Sequence, residues 1–463
     1  MRGSGRGFLL LSVGLLALPV LQGRAESVDD SGAQVPPLHL FFQAAIEKGG
    51  KARPMLDAIG HTWRDSYTSM IVELSLLTPH PGTRSQMFRF LRRETGRYFG
   101  EDSQRWMQWV WEQPYDPHPD YLLFKRAMYS LIDPRMGAFF PAGARARIRL
   151  DEVQWGGVEV NGIPPLDHPR HVSVADADYL KDRHVVFGLA VDGEARAYPK
   201  RILAWHEMAL DTLGGVPITL VYCTLCGTAI PYRGVVGDRH RTFGTSGLLF
   251  RSNKLMFDHE TNSLWSTLLG EPVIGELAGS GLRLEALPIV TTRWGEWRSR
   301  HPDTTVLSLD TGHERDYGEG RAYRDYFSTD KLMFQVPERD GRLRNKAEVL
   351  GILLSAASAD GEREPLAVRA RFLQRNRVFA TELAGRTLTI VTSRAGANRV
   401  FDTGDRRFER LVDDERVVED SGEVWQVTED ALVAGAVRLR RVPAFRAFWF
   451  GWVAQFPGTK LIK

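Results

Sequence analysis

The chain has very little cysteine. Cys223 and Cys226 are the only two in 463 residues, and they lie three positions apart in the segment YCTLCG. Two thiols cannot supply a four-cysteine zinc site within one chain, and no CxxCH segment is present for covalent attachment of a c-type haem. Three interpretations of the pair remain open: a clip for a metal ion, a redox-active dithiol and a small structural disulfide.

An excess of charge of one sign is also missing. Lys and Arg total 60 against 57 Asp and Glu, the formal net charge is only +3, and no long basic run occurs. We therefore expect no nucleic-acid partner. The chain is 43% hydrophobic and 25% charged, a composition that excludes a disordered protein. Its length exceeds what one hydrophobic core usually covers, so two or three domains are expected.

Long apolar runs are absent after the N-terminus. There, FLLLSVGLLALPVL follows MRGSGRG, which carries two arginines and no acidic residue. The run is shorter than a usual membrane span. Gly23 and Ala25 are small residues at the −3 and −1 positions of a cleavage after Ala25, which is typical of a secretory signal. We expect residues 1–25 to be a signal peptide, with an uncleaved anchor as the alternative. The mature protein would be periplasmic or extracellular, with no integral membrane segment.

Export affects the interpretation of the cysteines, because disulfides persist outside the cytoplasm. A bridge between Cys223 and Cys226 would close so short a loop that it would add little stability by chain entropy. Stability alone is therefore a weak reason for the pair. In a thioredoxin-like site the CxxC follows a strand and opens a helix. Here a strand precedes the pair, but AIPYRG after it has an extended pattern.

The pattern along the chain predicts an α+β protein. After a linker at residues 26–37, residues 38–143 are predicted to be helical, because IVELSLL, QMFRFLRRETGRYF and RWMQWVWEQ space apolar residues by three and four. Trp106 and Trp109 share a helical face and are expected in the core. Residues 144–463 are predicted to be β-rich. HVVFGLAVDGEARAYP indicates a hairpin that turns at Asp192-Gly193.

An internal similarity suggests a degenerate duplication within the β-rich part. LGGVPITLVYC begins at Leu213 and LAGRTLTIVTS at Leu383, 170 positions later, with four of eleven residues identical. The core would span residues 146–350 and a diverged second copy about 345–463. Chance similarity between two strands is the alternative. In the duplication hypothesis, Ser393 and Gly396 stand where the first copy has its cysteines.

A histidine and two acidic residues precede the dithiol. AWHEMALD predicts a short helix with His206 on one face and Glu207 and Asp211 on an adjacent face. Folding of this helix onto the strand that ends at Cys223 would bring His206 near both thiols. Imidazole and thiolate are good zinc ligands, and thiolates also suit copper(I). Glu207 or Asp211 would orient the histidine or act as a base. Other residues expected to line the site are Tyr198, Tyr222, Met256, Asp258 and His259.

Several motifs occur together in a recognisable order. They are WGGVEVNGIPPLDHP, RAYPKRILAWHEMALD, VYCTLCGTAIPY, FGTSGLLFRSNKLMFDHETNSLWS and WGEWRSRHPDTTVL. The series resembles an uncharacterised exported prokaryotic family, domain of unknown function 3179 (DUF3179), from about residue 146 to 350 and less clearly to the end. The family has Tyr-Cys-Pro-Leu-Cys-Gly where this chain has Thr224 in place of proline. The resemblance implies no established activity, but it supports treating His206, Cys223 and Cys226 as one unit.

These observations lead to three hypotheses. The first is an exported envelope protein with a metal-binding or redox-active site at His206, Cys223 and Cys226, in which zinc or copper would be the expected metal. The second is a non-catalytic binding protein with an inert disulfide. The third is a hydrolase that uses the carboxylates of Glu207 or Asp211. The sequence does not decide whether the protein is an enzyme, and it identifies no substrate or protein partner.

Overall fold

The computed structural model describes residues 27–29, 32–355 and 363–463. The predicted signal peptide lies outside the described residues. Within the predicted linker, Ser27–Val28 and Gln34–Val35 pair as a short antiparallel ribbon. No helix in the described part of the chain has the length and apolar character needed to cross a membrane.

Helices are concentrated in the first third of the described chain. The α-helices are α1 (Leu38–Ile46), α2 (Arg53–Gly60), α3 (Thr68–Leu77), α4 (Pro81–Thr95), α5 (Ser103–Glu112), α6 (Tyr121–Ser130), α7 (Lys200–His206), α8 (Trp294–Arg300), α9 (Arg324–Phe327), α10 (Ala370–Arg375) and α11 (Trp449–Gln455). Short 3-10 helices span Gly49–Ala52, Asp65–Tyr67, Pro134–Phe139 and Leu150–Glu152. The three apolar runs that predicted helices fall on α3, α4 and α5.

Strands dominate the rest of the chain. They are β1 (Ser27–Val28), β2 (Gln34–Val35), β3 (Arg145–Ala146), β4 (Val153–Trp155), β5 (Leu166–Asp167), β6 (His171–Val172), β7 (Val185–Val191), β8 (Glu194–Pro199), β9 (Met208–Leu213), β10 (Val216–Cys223), β11 (Thr228–Arg233), β12 (Val235–Val236), β13 (Arg239–His240), β14 (Phe243–Phe250), β15 (Asn253–Asp258), β16 (Leu264–Ser266), β17 (Glu271–Gly275), β18 (Val290–Arg293), β19 (Thr305–Leu307), β20 (Glu348–Ser355), β21 (Arg363–Arg369), β22 (Val378–Leu383), β23 (Arg386–Thr392), β24 (Asn398–Asp402), β25 (Phe408–Leu411), β26 (Arg416–Glu419), β27 (Val424–Val427), β28 (Ala431–Ala434), β29 (Val437–Val442), β30 (Ala444–Phe448) and β31 (Lys460–Ile462). The predicted change from helical to β-rich structure is confirmed.

The N-terminal helices begin and end at residues that suit helix termini. The Asp102 side chain accepts a hydrogen bond from the Arg105 amide at 3.1 Å and caps the start of α5. Gly96, at φ 67°, ends α4 in the left-handed region that glycine adopts at low cost. Trp106 and Trp109 are buried and meet edge to face, with ring centroids 6.1 Å apart. They contribute to a hydrophobic core, as the sequence predicts.

The described residues form two compact units. The first contains the residues up to Val160 together with 261–264 and 272–280, and it includes α1 to α6. The second contains residues 161–260, 265–271 and 281–463. The second unit holds both cysteines and all the residues predicted to line the site.

Within the second unit, two groups of elements follow the same order. Module A consists of β7, β8, α7, β9 and β10, with β18, α8 and β19 added later in the chain. Module B consists of β20, β21, α10, β22 and β23, with β30, α11 and β31 added later. In A the sheet order is β18-β7-β8-β19-β6, and in B it is β30-β20-β21-β31, so the first four strands of A correspond to the four of B. β19 is parallel to β8 in module A, and β31 is parallel to β21 in module B.

The two modules also share a packing detail between a glycine and a tryptophan. A Cβ atom on Gly188 of β7 would come within 2.2 Å of the Trp297 ring, and one on Gly351 of β20 within 2.2 Å of the Trp452 ring. In both modules the indole N–H donates to a threonine hydroxyl at 3.0 Å. Each tryptophan therefore packs directly on the backbone of the sheet, where only glycine leaves room.

The predicted hairpin of module A is present, with β7 and β8 antiparallel. Its turn residues Asp192 and Gly193 have φ values of 45° and 85°, the positive values of a tight hairpin turn. The helix predicted over AWHEMALD is wrong in its second half. It ends at His206, Glu207 turns the chain at φ 57°, and Met208–Leu213 is a strand. Pairing of this strand with β10 overrides the helical spacing of the sequence.

After the shared elements the modules continue differently. Module A leads into β11, which pairs with β10, and then into the antiparallel pair β14–β15. Module B leads into an eight-stranded sheet of order β22-β23-β24-β29-β28-β27-β26-β25. The buried cluster of that sheet includes Phe401, Trp425 and Leu432. The common part is thus the framework around the ends of β10 and β23.

Candidate functional site

The segment YCTLCG spans the end of a strand and a turn. β10 ends at Cys223, which pairs with Thr228 at the start of β11. Gly227 closes the turn at φ 65°, a conformation open to glycine without steric cost. The chain after the pair is extended, as the sequence predicts. The dithiol therefore does not open a helix as a thioredoxin-like CxxC would.

Both cysteines are free thiols and both are buried. Their exposed fractions are 4% for Cys223 and 1% for Cys226. They belong to a hydrophobic cluster that includes Leu225, Phe448 and Phe450. Because reaction at sulfur requires access to the thiolate, this cover must open before a substrate can reach either cysteine.

The two thiols have different surroundings. They are hydrogen-bonded to each other, and main-chain N–H groups of Lys254 and Cys226 also donate to the Cys223 sulfur. Burial alone raises the pKa of Cys223, but these hydrogen bonds bring it below its ordinary value. Burial and the bond to Cys223 raise the pKa of Cys226 well above its ordinary value. A single negative charge on the pair therefore resides on Cys223.

Cys226 has further partners that hold it in place. Its sulfur lies 3.3 Å from the Ser252 carbonyl oxygen and accepts from the Asn253 side-chain amide at 3.4 Å. A thiol has one proton to donate. When Cys223 is ionised, that proton is best placed on the line between the two sulfurs, and the Ser252 carbonyl is its alternative acceptor.

A buried ion pair lies beside the dithiol. The Lys254 ammonium donates to the Glu207 carbonyl oxygen at 2.7 Å and lies 3.7 Å from the Glu207 carboxylate. Burial lowers the pKa of Lys254, while the charges of Glu207 and Cys223 oppose this shift. The sequence analysis did not identify Lys254. The available signal was a lysine directly before the apolar run LMF in NKLMFD.

Two tyrosines from the long segment between β19 and β20 cover the site. Tyr323 donates to the Glu207 carboxylate at 3.3 Å, and Tyr326 donates to the Leu225 carbonyl at 2.7 Å. Tyr323 itself has φ 53°, which is uncommon for a side chain of its size. The sequence analysis identified neither tyrosine. Their role as a cover depends on contacts with residues about a hundred positions away.

His206 makes hydrogen bonds with both ring nitrogens. Nδ1 lies 2.8 Å from the Pro164 carbonyl oxygen, so it carries the proton, and Nε2 accepts from the Tyr317 hydroxyl at 2.5 Å. Burial lowers the pKa of His206 to about 4. The ring is therefore neutral near pH 7, with no nitrogen left for a further ligand.

The three-ligand metal site expected from the sequence receives no support from this geometry. Among the described residues, no three His, Cys, Asp or Glu side chains are grouped so that they could hold a metal ion. The physical reason is the end of α7: the chain turns at Glu207, which brings Glu207 toward Lys254 and directs His206 to Pro164 and Tyr317. Of the predicted site residues, the structure brings together Cys223 and Cys226, and the Glu207 charge lies close enough to raise the pKa of both.

Asp211 belongs to a different polar cluster. Its carboxylate accepts from Arg196 at 2.8 Å and from Tyr198 at 2.7 Å, and His171 lies 3.0 Å away. Burial raises the pKa of Asp211, but these partners outweigh burial and lower it to about 2. A carboxylate held ionised so firmly is a poor proton acceptor near neutral pH. Tyr198 therefore supports Asp211 in this cluster.

The other predicted lining residues lie on or just after β15. Met256 is buried on the strand, opposite Thr245 of β14. Asp258 accepts from the Trp265 indole at 2.8 Å and from Arg241 at 3.4 Å. His259 is exposed and stacks edge to face on Phe257. These contacts connect the three residues to the sheet that carries Lys254.

Tyr222 links the dithiol to a cavity of about 160 Å³. Residues of both modules line this cavity, including Tyr222 directly before Cys223 and Gly227 directly after Cys226. Tyr222 is completely buried, and its hydroxyl has no hydrogen-bond partner among the described residues. The dithiol turn therefore forms part of a wall of this cavity.

Comparisons with known proteins give one result. The model of a family described as "Protein of unknown function (DUF3179)" matches residues 160–459. No curated protein and no solved structure matches the chain. The matched range includes both modules and the dithiol turn, and the family description names no activity.

Proposed function

The chain belongs to the DUF3179 family, and from that premise we propose that it is a thiol–disulfide redox protein. Cys223 is the reactive thiol and Cys226 is its partner. The observation that carries the proposal is the difference in pKa between the two thiols. Hydrogen bonds lower the pKa of Cys223, whereas burial and the hydrogen bond to Cys223 raise the pKa of Cys226. A nucleophile of lowered pKa next to a protonated partner is the arrangement that dithiol exchange requires.

The reaction proceeds in two steps. The Cys223 thiolate attacks one sulfur of a substrate disulfide, and the other substrate sulfur leaves as a thiolate. Cys226 then loses its proton and attacks the Cys223 sulfur, which releases the second substrate thiolate and leaves a Cys223–Cys226 disulfide. Two electrons pass from the protein to the substrate. The two protons lost by the dithiol are balanced by the two that the substrate thiolates take up from solvent.

Glu207 is the base proposed for the second step. Its negative charge acts on both cysteines and raises the pKa of each, so it lies close enough to influence either proton. Tyr323 and Lys254 hold the carboxylate in place. Asp211, the other carboxylate considered from the sequence, is held by Arg196 and Tyr198 instead.

Two finer features belong to the same proposal. The N-terminal sequence supports export to the periplasm or beyond, where a dithiol of this kind meets disulfide substrates. The common order of elements and the shared glycine–tryptophan contacts support an origin of modules A and B by duplication. In this proposal module A kept or gained the sulfur chemistry, and module B is structural.

Alkylation of each cysteine as a function of pH tests the proposal. The reduced protein is treated with iodoacetamide between pH 5 and 10, roughly bracketing the pKa of a free thiol, and modification of Cys223 and Cys226 is followed separately by mass spectrometry. We expect Cys223 to react with an apparent pKa below that of a free thiol and Cys226 to react far more slowly. In the Cys226→Ala variant the pKa of Cys223 should rise, because its thiol donor is lost.

The competing hypothesis of an inert disulfide gives different results in the same preparation. Such a bridge would resist mild dithiothreitol in the folded protein, because structural disulfides have low reduction potentials. Resistance to reduction, or equal titration of both thiols at or above the ordinary cysteine pKa, would contradict the redox proposal.

A further inference from the structure

Two polar groups line the cavity beside the dithiol turn without a hydrogen-bond or ion-pair partner among the described residues. One is the Tyr222 hydroxyl, which is completely buried and unpartnered in the described part of the chain. The other is the ammonium of Lys200, a partly buried residue, which lies 4.5 Å from the centroid of the Phe327 ring and forms no ion pair within the described residues. Burial of a polar group without a hydrogen bond is unfavourable. An acceptor placed in the cavity would face both groups, since both line it.

The charges that line the cavity leave a positive excess. Arg446 is paired with Glu348 at 2.8 Å and also donates to Asn398 and to the Gly396 carbonyl. This pair is neutral overall. Lys200 and the exposed Arg293 also line the cavity, and neither has an ion-pair partner in the described residues. The occupant that fits this charge is therefore an anion.

The remaining walls are partly aromatic. Phe187 and Phe448 line the cavity with Tyr222, and the Phe187 and Tyr222 rings lie 4.9 Å apart. Aromatic faces favour contact with an apolar body, and small-molecule sites commonly combine such walls with a few polar groups. The occupant should thus carry its charge at one end and an apolar group at the other.

The donors come from module A alone. At the positions 170 residues after Lys200 and Tyr222, module B has Ala370 and Thr392. The framework does not require a lysine or a tyrosine at these positions, since module B builds the same elements without them. The two donors are therefore additions to the framework on the side of the cavity that carries the dithiol.

We propose that this cavity is a binding site for a small organic carboxylate, in which Lys200 and Tyr222 bind the carboxylate and the aromatic walls hold the apolar body. The site stands independently of the redox proposal, because neither sulfur is needed to bind the ligand. Neither Glu207 nor Lys254 is among the residues that line the cavity.

Titration calorimetry with benzoate as the probe tests the site. Benzoate should bind to the wild type, and its neutral analogue benzamide and inorganic phosphate at the same ionic strength should bind at least about tenfold more weakly, the factor expected from one lost hydrogen bond to a charged group. Lys200→Met and Tyr222→Phe should each reduce benzoate affinity by a similar factor. Lys181→Met, at an exposed lysine, is the matched control and should bind benzoate like the wild type.

Two further measurements separate loss of benzoate binding from loss of folding and from loss of the thiols. Urea unfolding of Lys200→Met should show a protein at least as stable as the wild type, because the variant removes a partly desolvated cation that has no ion-pair partner among the described residues. A Cys223→Ser, Cys226→Ser double variant should still bind benzoate, even if the redox proposal fails. Benzoate affinity unchanged in both the Lys200 and Tyr222 variants, equal affinity for phosphate, or no binding by the wild type would overturn the proposal.

Discussion

Modules A and B place different chemistry at equivalent points of one framework. β10 of module A leads into a turn with two buried thiols, whereas β23 of module B leads into Ser393 and Gly396. The Ser393 hydroxyl donates to Glu296 at 2.8 Å and accepts from the Ala397 amide at 3.0 Å. The same strand end therefore supports either sulfur chemistry or a local polar network. The side chains that follow the strand decide between them.

The surroundings of the two turns differ in a corresponding way. Gly451 on α11 lies against Cys226, where an added Cβ would come 3.1 Å from the sulfur. The counterpart of Gly451 in module A, 155 positions earlier on α8, is Glu296. Its carboxylate accepts a hydrogen bond from the Ser393 hydroxyl. Each turn thus packs against the helix of the other module. Glycine leaves room for sulfur at one turn, and glutamate supplies a partner for a hydroxyl at the other.

The largest expected effect comes from removing or transplanting the sulfurs. Cys223→Ser should abolish disulfide exchange with a small disulfide such as hydroxyethyl disulfide, because the thiolate of lowered pKa is lost. The double variant Ser393→Cys, Gly396→Cys in that background should not restore it, because Glu296 would raise the pKa of a thiol at position 393. Thiol release measured over time checks both variants. Restored exchange would show that the framework, and not the surroundings, sets reactivity.

The glycine–tryptophan contacts provide a test of structural equivalence. Gly188→Ala and Gly351→Ala should each lower the free energy of unfolding by about 3 kcal/mol, since the new methyl group would overlap an indole ring. Gly458→Ala, with open space around it, is the control and should change stability by less than about 0.5 kcal/mol. Urea unfolding gives all three values. A large decrease in the free energy of unfolding for only one of the two variants would show that the contacts in modules A and B are not equivalent.

A smaller effect concerns pH. The folded pKa of His206 lies near 4, below its ordinary value of 6.5. The folded state thus binds fewer protons than the unfolded state between these values. The contribution of His206 to the free energy of unfolding should be fully present above about pH 6.5 and should decrease by on the order of 2 kcal/mol by pH 4. Asp211, with a folded pKa near 2, contributes a loss only below this window.

Replacement of His206 by the module B residue isolates this effect. Position 376, 170 residues later, holds Asn376, so His206→Asn makes module A resemble module B. The dependence of stability between pH 4 and 6.5 should be weaker in the variant, as measured by urea unfolding at several pH values, and the remainder should come from His118 and His184, whose pKa values burial also lowers. The same slope in the variant and the wild type would assign the dependence to other groups.

The smallest expected effect concerns Glu207, whose counterpart in module B is Arg377. Glu207→Gln removes a negative charge that raises the pKa of both cysteines. Alkylation of Cys223 near pH 7 should therefore become severalfold faster. Closure of the Cys223–Cys226 disulfide should become slower, because the proposed base is lost. Rapid-quench alkylation separates the two rates, and a change of both in the same direction would contradict the role of Glu207.

The sequence predicted local features well where one short-range pattern dominated. Apolar spacing identified α3, α4 and α5, and Asp192-Gly193 identified the β7–β8 turn. It was misleading at AWHEMALD, where helical spacing continues past His206 but pairing with β10 makes Met208–Leu213 a strand. The left-handed turn at Glu207 follows His206 directly, and the His206 ring forms hydrogen bonds with Pro164 and Tyr317.

By itself, the sequence determined the dithiol at a strand end, the extended chain after it and the resemblance to DUF3179. Only the tertiary structure decided which groups surround the sulfurs: Lys254 from β15, Tyr323 and Tyr326 from the long segment, and Gly451 from the other module. The physical reason is that periodicity and turn chemistry act between neighbours along the chain. The pKa of a buried thiol depends on donors and charges within a few ångströms in space, and strand pairing and packing of the modules bring these from distant positions.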